Sequence, residues 1–219
     1  MPTTDYKALA GRFIVIDGPD GAGKGTQLAM LAEHLRAGGA DVQVARDPGG
    51  TAIGDKVRAI LLDGRNLEMS VTSEMLLYMA SRAQLVAEVI APALRQGRCV
   101  LCDRYVSSTL AYQGAAGADV EAILEVAQVA VGGYWPDLTM ILDLPAEVGL
   151  SRLDRAKDRL EQRPTEYHAR VRQSFLDQAR RAGDRFAVVD ASGPPDKVQE
   201  DLRAALERWL TATGRRRTP

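Results

Sequence analysis

The stretch Ile16–Gln27, IDGPDGAGKGTQ, decides how the rest of the chain is read. Gly18 to Lys24 fit the pattern G-x-x-x-x-G-K, which counts as evidence only between a strand and a helix. Both neighbours qualify. The apolar run RFIVID (12–17) precedes the loop. Leu28, Leu31 and Leu35 follow it at i, i+3 and i+7, the spacing of an amphipathic helix. Glycines in such a loop let backbone N–H groups turn inward around phosphate oxygens. The helix start adds unpaired amides and the positive end of its dipole. Lys24 brings a point charge to the β- and γ-phosphates. Gly18, Pro19, Asp20, Gly21, Ala22, Gly23, Lys24, Gly25 and Thr26 are therefore expected around a nucleotide's phosphates. Gly25 stands where Ser or Thr usually supplies a hydroxyl to Mg2+. Thr26 can bind an α-phosphate oxygen or help the metal only indirectly. Mg2+ is then expected to be held through water and nucleotide oxygens, with Asp103 as an indirect acidic partner. A helix cap or an ion pair with Arg104 is the alternative use of Asp103.

Outward from the loop, apolar runs alternate with helical patterns. Strands are expected at 12–17, DVQVAR (41–46), RCVLCD (98–103), LTMILDL (138–144) and FAVVD (186–190). Helices are expected from Lys24 to the Gly38-Gly39 stop, and over 54–62, 72–94, 119–131, 146–155 and 195–210. Pro92 should bend or fray the end of the long one. Alternation of this kind implies crossovers and a parallel sheet. Solid apolar strands fit a sheet covered by helices on both faces. No linker or repeat divides the chain, so one domain over 1–219 is expected, with a frayed tail at 213–219.

The 219 residues are enough for a sizeable core. A net charge of -1 argues against a protein that coats nucleic acid or acidic membrane. No apolar run approaches the roughly 20 residues of a membrane span, and the N-terminus lacks a secretory apolar core. A cytoplasmic protein is expected. Cys99 and Cys102 form a C-x-x-C pair, but three residues apart on a strand they point to opposite faces. They are expected to pack in the core. His168 is expected to be structural, and Trp135-Pro136, which ends a loop before the fourth strand, to serve packing.

GKGTQ alone is similar to the loop of adenylate kinases. RDPGGT (46–51), YMASRAQ (78–84) and DRYVSSTLAYQG (103–114) together resemble the thymidylate kinase family, which phosphorylates dTMP to dTDP with ATP. The resemblance runs from the first strand to the closing helix. It implies a P-loop NTPase fold of the nucleoside monophosphate kinase type, an α/β domain with a five-stranded parallel sheet. It implies ATP and Mg2+, dTMP as acceptor, and a homodimer often formed through the long helices. Arg104 and Arg58 would hold the acceptor phosphate; a surface ion pair with Asp55 is the plainer reading of Arg58. Tyr78 stands where the family usually has Phe on the thymine ring, unless it only packs. Arg82, Thr109 and Gln113 would meet the base, and Tyr112 the deoxyribose. Asp20 would lie near the 3′-hydroxyl, unless it caps the loop. Asp47 replaces the more usual Glu, and Ser107 replaces an acid common in relatives and is assigned nothing.

Some family members carry a catalytic arginine inside the glycine loop, where this chain has Gly21. The bacterial subgroup without it supplies arginine from a mobile lid. SRLDRAKDRLEQR (151–163) resembles that lid, which implies that Arg155 and Arg159 close over ATP, Arg159 foremost. Two other readings stay open. Another nucleoside monophosphate kinase would prefer AMP or UMP, and a nucleotide-dependent switch would ignore every monophosphate.

Overall fold

A computed structural model describes residues 5–154 and 158–214. The strands are β1 (Phe13–Asp17), β2 (Val42–Arg46), β3 (Cys99–Asp103), β4 (Leu138–Asp143) and β5 (Phe186–Asp190). Each lies within a residue or so of its expected range. They form a five-stranded sheet in the order β2-β3-β1-β4-β5, with every pairing parallel.

Alternation along β1 sets the two layers. Ile14 and Ile16 face α1 (Lys24–Ala37) and α9 (Pro195–Gly214), packing with Leu31, Leu35, Leu202 and Leu206. Phe13 and Val15 face the opposite cluster, which includes Met75, Met79 and Ile123. Full burial of each such side chain contributes roughly 1.5–3 kcal/mol. Cys99 belongs to the first cluster and Cys102 to the second, and both are free. The pair is core, as the strand reading required.

The helices depart from expectation in instructive ways. α2 (Ala52–Leu62) starts two residues early because the Thr51 hydroxyl caps it, accepting from Gly54 N–H at 2.9 Å. The long helix is α3 (Val71–Leu85), a π-turn (Val86–Ile90) and α4 (Ala91–Arg95). Pro92 therefore does not fray that end, which continues to Arg95. A proline lacks the N–H for its helical bond and crowds the carbonyl four residues back. The π-turn just ahead of it absorbs that conflict. α6 (Val120–Val131) begins at an Asp119 cap, and α7 (Ala146–Ser151) stops short of the expected 155. Residues 155–157 lie outside the described residues. Thr213 and Gly214 continue α9 rather than fray, and 215–219 lie outside the described residues.

Two α-helices were not expected. α5 (Val106–Ala115) is buried on nearly every side, so it shows no amphipathic stripe. α8 (Thr165–Ala182) does show one: Tyr167, Val171 and Phe175, four apart, are its buried residues along with His168. Trp135, expected to pack, keeps 37% of its surface exposed. No described helix is long and apolar enough to cross a membrane.

The order β2-β3-β1 brings three loops to one edge. β1 runs into the glycine loop, β3 into Arg104, and β2 into Asp47. Registers Ile16↔Asp103 and Arg46↔Asp103 level the three strand ends. Ligands of open α/β sheets bind at this carboxyl edge.

Candidate active site

The glycine loop is shaped by contacts that leave no room for side chains. Gly18 has φ +137°, and a Cβ there would meet the Leu142 carbonyl oxygen at 2.4 Å. Gly23, at φ +82°, starts α1. Lys24 folds back into the loop, its Nζ donating to the carbonyls of Gly18 (3.0 Å) and Pro19 (2.6 Å). Burial, and then the positive charge of Arg104, lower its pKa to about 8.

Arg104 is the one non-glycine residue at positive φ among the described residues, at +65°. Such a conformation costs of order 1–3 kcal/mol. Its partners offset the strain. Nη1 donates to Gly18 O (3.2 Å) and Ser108 Oγ (3.0 Å), and Nη2 to Asp20 Oδ1 (2.5 Å). The Tyr112 hydroxyl closes a triangle by donating to Asp20 Oδ2 at 2.8 Å. Burial alone would raise the Asp20 pKa, but Arg104 and Lys24 bring it below the usual carboxylate range.

Behind this triangle lies Asp17, fully buried. It accepts from Gly18 N–H (2.8 Å), Ser107 Oγ (2.6 Å) and Ser108 Oγ (2.7 Å), and Arg104 Nη1 stands 3.5 Å away. Asp17 and Ser108 are not among the residues expected from sequence, and Ser107 carries no expected role. The available signal was an acid at the strand end, directly before the loop, and two serines one turn into the segment after Arg104.

On the other side, Arg82 is 1% exposed. Nε donates to Asp47 Oδ2 (2.5 Å), and Nη2 to Thr109 Oγ1 (3.0 Å) and Tyr105 O (3.1 Å). Burial pushes the Asp47 carboxyl up, against the pull of Arg82. Arg58 Nη1 donates to Pro48 O at 3.0 Å, while Asp55 pairs with Arg46 instead. Burial and the neighbouring Arg46 lower the Arg58 pKa. Asp103 Oδ1 is buried with no hydrogen-bond partner, and so is Asp47 Oδ1.

A cavity of about 330 Å³ unites these groups. Its lining includes Asp20, Asp47, Arg58, Tyr78, Arg82, Arg104, Thr109, Tyr112 and Gln113, together with Gly21, Gly23, Lys24, Gly25, Thr26 and Asp103. A second cleft opens across the glycine loop between Ala22, Thr26, Gln27, Arg152 and residues 191–195. The loop is thus the wall between two chambers. Gly18 and Pro19 line neither; they hold Lys24.

A family model described as thymidylate kinase matches residues 16–202. The thymidylate kinase of Deinococcus radiodurans is 49% identical over 199 residues, covering 90% of this chain and 96% of that relative. Those of Rhodopirellula baltica (42%, 94% and 86% covered) and Pseudomonas putida (45%, 90% and 96% covered) match along similar lengths. The chain belongs to the thymidylate kinase family. The P-loop nucleoside monophosphate kinase fold and the two-chambered site agree with that membership.

Within this kinase fold, one expected residue stands elsewhere. Arg159 is buried; Nε donates to Leu61 O at 3.1 Å, and Nη2 pairs with Glu74. Its partners lie on α2 and α3, not on the glycine loop. Arg155 lies outside the described residues. Glu74, fully buried and also bonded by Gln113 Nε2 at 2.6 Å, was not singled out from sequence.

Proposed function

We propose that this protein transfers the γ-phosphoryl group of ATP to dTMP, giving dTDP and ADP for dTTP synthesis. The observation that carries the reading is the Arg104–Asp20–Tyr112 triangle. It joins the glycine loop to the wall of the cavity, so an acceptor anchored there faces the donor phosphates.

The acceptor phosphate is an anion at neutral pH and needs no general base. It needs alignment and cations over the spreading charge. Arg104 and Arg58 hold the acceptor phosphate, Arg104 gripping oxygens bidentately. Asp20 aims Arg104 and offers an oxygen to the 3′-hydroxyl. Tyr112 lies against the sugar and crowds a 2′-hydroxyl. Tyr78 stacks on the base, and Arg82, held by Asp47 and Thr109, donates to its carbonyl edge. Lys24 and the loop amides hold the donor's β- and γ-phosphates, and the second cleft receives its nucleoside.

Mg2+ fits the residues present. The partnerless Asp103 oxygen suits a hydrated cation, and Gly25 offers no hydroxyl. No group of three metal-ligating side chains exists among the described residues, so water and phosphate would supply most ligands. Held there beside Asp103, the ion would supply positive charge to offset that of the phosphates. Segment 151–163 acts as a lid that excludes water. Arg155 is its candidate cation over ATP; Arg159 reaches the donor only by leaving Glu74.

We place the enzyme in the cytoplasm as a homodimer. Leu76 on α3 and Val120 and Leu124 on α6 keep apolar surface exposed on packed neighbours, which a second copy would cover. Light scattering tests the mass. A coupled assay with dTMP, dUMP, UMP and AMP tests the reaction. dTMP should give the highest kcat/KM, and preference for AMP would defeat the reading.

A further inference from the structure

Glu74 has no place in the chemistry described above, yet it is fully buried beside the cavity. A buried carboxylate persists only when paired and hydrogen-bonded. Its partners are Gln113 Nε2 at 2.6 Å on one oxygen, Arg159 Nη2 on the other, and Arg163 Nη2 at 3.6 Å. Glu74, Tyr78 and Arg82 recur every four residues, so they share one face of α3.

An ionised carboxylate only accepts hydrogen bonds, whereas an amide has a donor end and an acceptor end. Beside Glu74, Gln113 must therefore turn its NH2 inward. Turning the amide over would set two oxygens against each other in a buried site, where mismatches cost most. The Gln113 carbonyl oxygen is left for the cavity that this residue lines. Thr109 and Gln113 are one turn apart on α5, and Thr109 Oγ1 takes the Arg82 guanidinium. The cavity thus presents a donor at Arg82 and an acceptor one turn away.

We propose that Glu74 is the specificity-positioning residue of the acceptor pocket. By fixing the Gln113 amide, it makes the pocket read a base with a ring N3–H beside a C4 carbonyl and reject one with the reverse pattern. Thymine and uracil present that carbonyl and N3–H. Cytosine presents an amino donor and a bare N3, so both positions clash in polarity. Arg159 and Arg163 neutralise the carboxylate, which ties base reading to the order of residues 158–163. The edge pattern is blind to the 5-methyl group, so it separates dTMP from dCMP and not from dUMP. This assignment rests on dTMP being the acceptor.

The test compares kcat/KM for dTMP and dCMP in the wild type, Glu74→Gln, and the double variant Glu74→Gln/Arg159→Met. The double variant avoids leaving a buried arginine unpaired. The wild type should favour dTMP by at least about 10³-fold, because a site built on hydrogen bonds strongly rejects a mismatched analogue. A glutamine at 74 accepts either face of the Gln113 amide. The dTMP-to-dCMP ratio should then fall about tenfold or more in each variant that unfolds cooperatively, a change that simple loss of stability would not produce. An unchanged ratio overturns the assignment. So does a wild type that uses dCMP within about tenfold of dTMP, a result that needs no variant. Absence of dTMP turnover in the wild type would instead defeat the proposed reaction itself.

Discussion

Gly21 of the glycine loop and Gly149 of α7 touch backbone to backbone. A Cβ on Gly21 would lie 1.9 Å from the Gly149 carbonyl oxygen, and a Cβ on Gly149 would lie 2.2 Å from the Asp20 carbonyl oxygen. The loop and the base of the lid segment are therefore in direct register. The contact also explains why no side chain is carried at 21: an arginine there would have to displace α7.

Gly149→Ala should shift the loop or the helix, since backbone cannot yield as a flexible side chain does. Misplacement by about 1 Å can cost roughly 10²-fold in rate. The expected result is a fall in kcat/KM for ATP of at least about tenfold, with a modest drop in Tm. Steady-state kinetics and thermal unfolding check it, and wild-type kinetics in the variant would show that the contact relaxes freely.

The Arg82–Asp47 pair makes the second prediction. Arg82→Met strands a fully buried carboxylate, which costs about 3–5 kcal/mol. Burial already raises the Asp47 pKa, and losing Arg82 raises it further. A protonated carboxyl needs no counter-charge, so the destabilisation should shrink as pH falls. Urea denaturation at neutral and mildly acidic pH measures both effects. Equal losses at the two pH values would argue that Asp47 is not the cause.

The fold was legible because most strands are short apolar runs bounded by breakers, and the glycine loop set the direction of the first crossover. α5 was not, because burial on nearly all sides erases the stripe that marks a helix. α8 hid its Tyr167–Val171–Phe175 stripe among charges. Every acceptor-side residue read from the sequence lines the one cavity. What could not be read were residues acting behind the wall. Asp17 and Glu74 touch other side chains from distant elements, and no local spacing announces a partner 90 or 39 positions away. Arg159 shows the same limit from the other side: its charge points to a lid cation, and no local spacing announces its pairing with the buried Glu74 carboxylate on α3.

The cysteines give a third prediction. Burial pushes the Cys99 thiol up to about 12 and Cys102 well above its usual range. Thiolate is the reactive form. Neither cysteine should react with a disulfide reagent in the folded protein, and both should react after unfolding in guanidinium. Fast labelling of native protein would contradict the burial of both thiols in the core.

The last prediction concerns Lys24, whose pKa falls from 10.5 to about 8. The folded state holds this proton more weakly than the unfolded chain does. Below about pH 8 the buried ammonium therefore costs stability in full, and the cost is relieved as pH rises toward the unfolded value. A bound triphosphate reverses the preference, because its oxygens favour the charged amine. Binding a nonhydrolysable ATP analogue should then draw in about half a proton at pH 8 and approach one proton at about pH 9, with little uptake at about pH 7. Calorimetry in two buffers of different ionisation enthalpy reads the uptake directly. A binding heat at about pH 9 that is the same in both buffers would mean that Lys24 enters the complex already charged, and that the loop shields its proton better than burial and Arg104 imply.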